Sequence, residues 1–92
     1  MDLAELQQLM VDTYGDRDRA RGVAATIAWL TEEMGELAQA VRKGGRIAQT
    51  QEIGDVLAWL ASLANQLGVD MNEAAGRYTG GCPKCGSIPC GC

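Results

Sequence analysis

The sequence predicts an all-α fold, a small antiparallel bundle of helices with a short irregular cysteine-rich tail. Apolar residues recur every three or four positions through most of the chain, the periodicity of amphipathic helices. Glycine and acidic residues stand where these periodic segments end and begin, and no segment has the alternation of a strand. The 92 residues suffice for one small domain, which we place at residues 1–79, with the tail at 80–92.

Four helices are expected, over about residues 2–14, 23–43 and 47–67 and from Asp70 onward. Asp2 is the expected N-cap of the first helix, and Asp70 with Glu73 resembles a capping box at the fourth. The charged stretch 15–22 is expected to be a connection. Gly44-Gly45 is expected to end the second helix and allow a tight turn. The apolar stripes of the second and third helices contain Val23, Ile27, Leu30, Met34, Leu37 and Val41, and Ile53, Val56, Leu57, Leu60, Leu63 and Leu67.

Composition excludes several classes of function. A net charge of −4 without a basic cluster argues against nucleic acid as a partner. No apolar run reaches the length of a membrane span or of a signal-peptide core, and the first five residues carry two acids. We therefore expect a cytoplasmic protein that does not enter membranes.

Two pairs of acids are the most informative feature. Glu33 and Glu36 are three residues apart and share one helix face, as do Glu52 and Asp55. Glu33 and Asp55 each lie eleven residues from Gly44, and Glu36 and Glu52 each lie eight. A hairpin at Gly44-Gly45 would therefore bring the pairs together about 12–16 Å from the turn, at ~1.5 Å per residue.

Such a cluster needs a counter-charge. No lysine or arginine occurs in residues 23–41 or 47–76, and gathered carboxylates repel one another more strongly as water is excluded. A hard divalent cation resolves the conflict, because magnesium and manganese prefer oxygen ligands. The alternative is a solvated acidic face. Gly35 and Gly54, each between the acids of its pair, indicate either room for a close helix or ligand, or tight packing alone.

The segments Glu32-Glu33-x-x-Glu36 and Glu52-x-x-Asp55, with the residues around them, resemble the MazG-like nucleotide pyrophosphohydrolases of the all-α NTP pyrophosphatase superfamily. The resemblance covers about residues 20–78. It implies hydrolysis of an NTP or dNTP to the monophosphate and pyrophosphate, with magnesium or substituting manganese. It also implies that Glu33, Glu36, Glu52 and Asp55 bind the metal, and that Glu32 orients or deprotonates the attacking water or helps to hold a further metal ion.

Family members also use basic side chains on the phosphates, and the candidates here are Lys43, Arg46 and Arg77, unless these only solvate helix ends. Trp59 and Trp29 are expected either to contact the base or to pack in a core or interface. Related enzymes assemble their sites between subunits, so we expect a homodimer or homotetramer. An oligomer or a metal would also stabilise a core this small.

The tail contains all four cysteines of the chain, Cys82, Cys85, Cys90 and Cys92. The first pair has the C-x2-C spacing of a zinc knuckle, and four thiolates satisfy tetrahedral zinc. The alternatives are reduced thiols on a disordered tail, or disulfides. Any zinc here would be structural or an interaction point.

Two other functions were considered besides NTP hydrolysis. A di-iron carboxylate bundle requires histidine ligands, and this chain has no histidine. The second is a non-catalytic oligomeric module that docks a partner through a zinc-binding tail.

Overall fold

The computed structural model describes all 92 residues and confirms the all-α prediction. Its helices are α1 (Leu3–Arg21), α2 (Val23–Lys43), α3 (Arg46–Leu67) and α4 (Met71–Gly76), and no strand is present. Helix α3 lies in the middle, because both α1 and α2 pack against it while α1 and α2 barely touch. None of the four helices combines the length and the apolar character that crossing a membrane requires.

The first helix is longer than the sequence pattern predicts. The expectation of a connection at residues 15–22 is wrong, because α1 continues to Arg21. Asp18 is buried, accepts a hydrogen bond from Arg21 at 2.6 Å, and its carbonyl oxygen accepts another from the side chain of Gln66 on α3. Contacts with α3 and ion pairs one turn apart thus stabilise a segment whose composition is typical of a loop. The helix ends at Gly22, whose φ of 84° lies in the left-handed region that glycine tolerates.

The second and third helices form the hairpin that the double glycine predicts. Helix α2 ends at Lys43 and α3 begins at Arg46, so only Gly44 and Gly45 connect them. The backbone N–H of Gly44 donates to the carbonyl of Ala40 at 2.8 Å, and the side chain of Gln49 donates to the same carbonyl at 3.3 Å. These bonds satisfy a carbonyl at the end of α2 and fix the direction in which α3 returns.

The core within one chain is small and lies between α1, the side of α3 that carries alanines, and the start of α4. Its buried residues are Leu6, Met10, Ala61, Ala64 and Met71. In contrast, the apolar stripes of α2 and α3 remain largely exposed, with Ile53 at 56% and Met34 at 50% of their full accessibility. Within one chain, α3 therefore contributes mainly small residues to the core, and most of the large apolar side chains of α2 and α3 stay exposed.

One buried glutamine joins α1, α3 and α4. The side chain of Gln7 donates to Asn65 at 3.2 Å and to the carbonyl of Val69 at 2.7 Å, and it accepts from the backbone N–H of Met71 at 2.8 Å. The N-caps are as predicted: Asp2 forms a capping box with Glu5, and Asp70 accepts from the N–H groups that begin α4. The hydrogen bonds of Gln7 fix the fourth helix against the first.

Candidate metal centre

The α2–α3 hairpin brings three of the four predicted acids into one cluster. Carboxylate oxygens of Glu33, Glu36 and Glu52 all lie within 4.8 Å of one another. Oxygen ligands around a single octahedral magnesium ion are separated by about 3–4 Å, given bond lengths of about 2.0–2.1 Å. The cluster is therefore close to the size that one divalent cation requires.

The electrostatics of the cluster also fit a cation. One oxygen of Glu33 and one of Glu52 are buried without a hydrogen-bond partner. Burial raises the pKa of Glu33, and the negative charges of Glu36, Asp55 and Glu52 raise it further. Burial is also the main cause that raises the pKa of Glu52, and the negative charges of Glu36 and Asp55 raise it further. Buried carboxylate oxygens that lack donors and repel one another are suited to coordinating a metal ion.

Asp55, the fourth predicted acid, is not among the residues whose carboxylate oxygens lie within 4.8 Å of one another. Its charge nevertheless acts on Glu33 and Glu52, so it lies beside the cluster. It also lines a cavity of about 280 Å³ between α1 and α3, together with Tyr14, Arg17 and Trp59. Asp55 thus stands between the acidic cluster and a concave surface that carries cationic and aromatic side chains.

The two tryptophans pack on each other at the side of this cavity. The rings of Trp29 and Trp59 stack with centroids 5.8 Å apart and planes inclined by 11°. The guanidinium carbon of Arg21 lies 4.7 Å from the centroid of the Trp59 ring, a distance typical of a cation–π contact. In the single chain, Trp59 is therefore held by two neighbours and borders the cavity.

The other predicted site residues lie outside the cluster. Glu32 is exposed on α2, next to Glu33. Lys43 and Arg46 are exposed at the two ends of the glycine turn. At ~1.5 Å per residue, they lie about 9–11 Å along the helices from the nearer acid of each pair, Glu36 and Glu52. Arg77 follows α4, and its guanidinium lies 5.8 Å from the ring centroid of Tyr78. Their roles stay predictions.

The glycines between the paired acids are not explained by packing within the chain. A Cβ atom added at Gly35 or at Gly54 would meet nothing within 4 Å. Both glycines are exposed and lie inside regular helices, where glycine is less favourable than alanine by about 0.5–1 kcal/mol. The space beside each is open to a ligand or to another chain.

Two basic residues of the cavity were missed by the sequence reasoning. Arg17 and Arg21 lie on the last turns of α1 and line the same cavity as Asp55. Arg21 pairs with the buried Asp18, whereas Arg17 forms no ion pair. The signal in the sequence was their four-residue spacing, but it has meaning only if residues 15–21 are helical.

The four cysteines form a second cluster, outside the helices. Their Sγ atoms lie within 4.8 Å of one another, and all four are free thiols. The backbone N–H groups of Gly91 and Ser87 lower the pKa of the Cys85 thiol to about 6. Those of Cys85 and Lys84 lower the pKa of Cys82. The thiols predicted to bind zinc are thus brought together.

Fold and site together define an all-α protein with a carboxylate cluster, on a helical hairpin, that is able to hold a divalent cation. The family model described as "MazG nucleotide pyrophosphohydrolase domain" matches residues 21–80, more than half of the chain, and the chain belongs to this family. The match begins at the end of α1 and includes both halves of the carboxylate cluster. Among curated proteins, none matches the chain.

Proposed function

We propose that this protein is a magnesium-dependent nucleoside triphosphate pyrophosphohydrolase that converts an NTP or dNTP to the monophosphate and pyrophosphate. The observation that supports the proposal best is the convergence of Glu33, Glu36 and Glu52 with two buried oxygens that lack partners. The family match gives the class of reaction, and the carboxylates give a reason for its dependence on a metal ion.

In this proposal Glu33, Glu36, Glu52 and Asp55 hold magnesium, with manganese as a substitute. When bound, the ion supplies positive charge for the triphosphate oxygens and offsets the charge that develops on the leaving pyrophosphate. The carboxylates themselves fix where the triphosphate binds, because a tetraanionic chain binds beside four acids only where a cation lies between them. Asp55 connects this position to the neighbouring cavity.

Glu32 is proposed as the residue that orients the attacking water and accepts its proton. It is exposed beside Glu33, so it can contact water without giving up a metal bond. A bond forms between the water oxygen and the α-phosphorus, and the bond from that phosphorus to the bridging oxygen of the β-phosphate breaks. The electron pair leaves with pyrophosphate.

The cavity between α1 and α3 is proposed to bind part of the nucleotide. Arg17 offers a guanidinium without an ion pair, and guanidinium groups bind phosphate oxygens well. Trp59 offers an aromatic edge beside it. Lys43, Arg46 and Arg77 remain candidates for further phosphate contacts if a second chain brings the triphosphate near them.

The decisive experiment measures pyrophosphate release from a panel of NTPs and dNTPs, with magnesium and with a chelator. We expect magnesium-dependent release of pyrophosphate and not of orthophosphate. Isotopically labelled water should place its oxygen in the monophosphate, which distinguishes attack at the α-phosphorus from attack at the β-phosphorus. No turnover with any nucleotide would overturn the proposal and favour a non-catalytic interaction module.

Two variants test the site itself. Glu36→Gln and Asp55→Asn each remove a charge and keep the shape of the side chain, and both are expected to abolish turnover while helical content by circular dichroism stays unchanged. Wild-type activity in either variant would remove that residue from the metal site.

A further inference from the structure

The tail at residues 82–92 holds a second cluster of possible metal ligands, separate from the carboxylate cluster. It contains no helix, yet it is closed on itself by two backbone hydrogen bonds. The N–H of Cys82 donates to the carbonyl of Ser87 at 3.1 Å, and the N–H of Gly86 donates to the carbonyl of Cys82 at 2.6 Å. These bonds form a tight loop that contains both cysteines of the C-x2-C pair.

The backbone favours glycine at two points, one in this loop and one directly before it. Gly86 directly follows Cys85 and has a φ of 71°, and Gly81 directly precedes Cys82 and has a φ of 99°. A Cβ atom at Gly81 would lie 2.7 Å from the carbonyl oxygen of Ser87. Gly81 therefore excludes a side chain, and the left-handed φ of Gly86 disfavours one. The loop has one defined closed shape in a segment with almost no apolar core.

The sulfur atoms have the spacing of metal ligands and not of disulfides. The Sγ atoms of Cys82 and Cys92 are 3.8 Å apart, and those of Cys90 and Cys92 are 3.4 Å apart. Zinc–sulfur bonds of about 2.3 Å in a tetrahedron place the sulfurs about 3.8 Å apart, whereas bonded disulfide sulfurs are about 2.05 Å apart. The final C-x-C pair thus reaches back to the C-x2-C loop.

The backbone also supports thiolate ligands. The N–H of Gly91 donates to the Sγ of Cys85 at 3.4 Å, an outer contact that stabilises a negatively charged sulfur and fixes its direction. Lys84 is the only charged side chain from residue 78 to the end of the sequence. Lys84 stands between Cys82 and Cys85 in the sequence, and its positive charge offsets part of the net charge of −2 that zinc and four thiolates would carry together.

We propose that Cys82, Cys85, Cys90 and Cys92 bind one zinc ion as a closed tetrathiolate, which folds residues 82–92 into a small module independent of the carboxylate site. Four thiols lose four protons, and four sulfur–zinc bonds form. With all four positions of the tetrahedron occupied, no site is open for a water or substrate, so the ion is structural. No redox step is involved.

The test uses the full chain, purified under reducing conditions. We expect one zinc per chain by elemental analysis, and replacement by cobalt(II) with the thiolate-to-cobalt charge-transfer band and the intense visible bands of a tetrahedral tetrathiolate. Zinc binding to the metal-free chain should release protons in a manner that depends on pH. Iron at the site, zinc shared between chains, or a six-coordinate cobalt spectrum would each overturn the proposal.

Variants separate ligands from neighbours. Cys85→Ser and Cys92→Ser should each weaken zinc binding by more than about 100-fold, beyond the 10–100-fold usual for outer contacts. Ser87→Ala is the matched control, because only its backbone is used, and it should bind zinc like the wild type. Unchanged zinc affinity in both cysteine variants would contradict the assignment, and circular dichroism checks that the helices are intact.

A second readout reports folding of the module. Trypsin cleaves after Lys84, inside the loop that zinc closes. The fragment from Cys85 to Cys92, followed by mass spectrometry, should be released slowly from the zinc-bound chain and at least about 10-fold faster after chelation, because only the open loop is cleaved. Equal release in both states would show that zinc does not fold the tail. Without trypsin, removal of zinc followed by addition of excess magnesium should leave magnesium-dependent turnover unchanged.

Discussion

Glu52 is an acid at which burial and the charges of neighbouring acids both oppose ionisation. One of its oxygens is buried without a donor, and Glu36 and Asp55 act on it electrostatically. We predict that Glu52→Gln raises the melting temperature of the metal-free protein, because the amide removes one repelling charge and can donate to a neighbouring carboxylate. The same variant should lose the increase in melting temperature that magnesium gives the wild type, since a ligand that binds only the folded state stabilises it.

Glu32 supplies the matched control for that prediction. It lies on the same hairpin and carries the same charge, but it is exposed and outside the cluster. Glu32→Gln should leave the magnesium-dependent shift in melting temperature intact and should reduce turnover about 100-fold or more, the size of a general-base contribution. If Glu32→Gln lost the shift and Glu52→Gln kept it, the two roles would have to be exchanged. Thermal unfolding at several magnesium concentrations measures both.

Arg17 is the residue with which the cavity is tested. Arg17→Gln is expected to lower kcat/KM by about 10-fold or more, mainly through KM, since a charge-assisted hydrogen bond to phosphate contributes about 1.5–3 kcal/mol. Arg19→Gln is the control, because Arg19 is exposed and pairs with Asp16 outside the cavity. Equal losses in the two variants would indicate a general effect of net charge, and no loss in Arg17→Gln would remove that residue from the substrate site.

The glycine turn positions the two halves of the cluster. A Cβ atom at Gly44 would lie 2.8 Å from the carbonyl oxygen of Ala40, whereas a Cβ at Gly45 would meet nothing within 4 Å. Both glycines have extended backbone angles that any residue can adopt. Gly44→Ala is therefore expected to destabilise the chain by about 1–3 kcal/mol through steric overlap, and to weaken magnesium binding because the hairpin shifts.

Gly45→Ala should leave both quantities unchanged or raise stability slightly, by reducing the freedom of the unfolded chain. Chemical denaturation and magnesium titration of the two variants make the comparison. Equal stability in the two variants would show that the turn does not constrain how α2 and α3 pack.

The same helices show which parts of the fold were accessible from the sequence. The hairpin and the meeting of Glu33, Glu36 and Glu52 were predictable, because a 3.6-residue period and a double glycine fix register by local rules. The end of α1 was not, because Gly15 and the charges after it are typical of a loop. Their helical state depends on Asp18 being buried against α3, a contact that no local pattern reveals.

Which apolar residues of α2 and α3 are buried within one chain could not be predicted, for a related reason. Periodicity shows that a helix has an apolar face, but not which neighbour covers it. In α3 the chain buries Ala61 and Ala64, while Ile53 and Leu57 stay accessible. The residues beside the cluster that belong to α1, Arg17 and Arg21, were missed together with the helix that carries them. The features that local sequence rules determine, the hairpin and its acidic cluster, were predictable. The features that depend on long-range packing, the extension of α1 and its two arginines, were not.

At the scale of the whole molecule, one chain leaves many of its large apolar side chains exposed, among them Ile27, Met34 and Ile53. Only 10 of its 92 residues are buried, and six of these are hydrophobic. A chain this short is marginal even with a full core, and large contiguous apolar surfaces on small proteins usually mark an interface. Gly35 and Gly54 are open on the same hairpin. We therefore predict that the protein is a homodimer or homotetramer that covers the stripes of α2 and α3.

Leu57→Glu tests this prediction, because Leu57 lies on the α3 stripe with Ile53 and Leu60. A buried charge without a partner opposes association strongly, so the variant should show a lower mass in solution by light scattering, together with lower stability and turnover. Val11→Glu is the matched control, since Val11 on α1 has nearly the same exposure, 40% against 38%, but lies outside the stripe. If the wild type has the mass of one chain at the concentration where it is active, the exposed stripes are not a subunit interface, and the single chain must hold metal and nucleotide by itself.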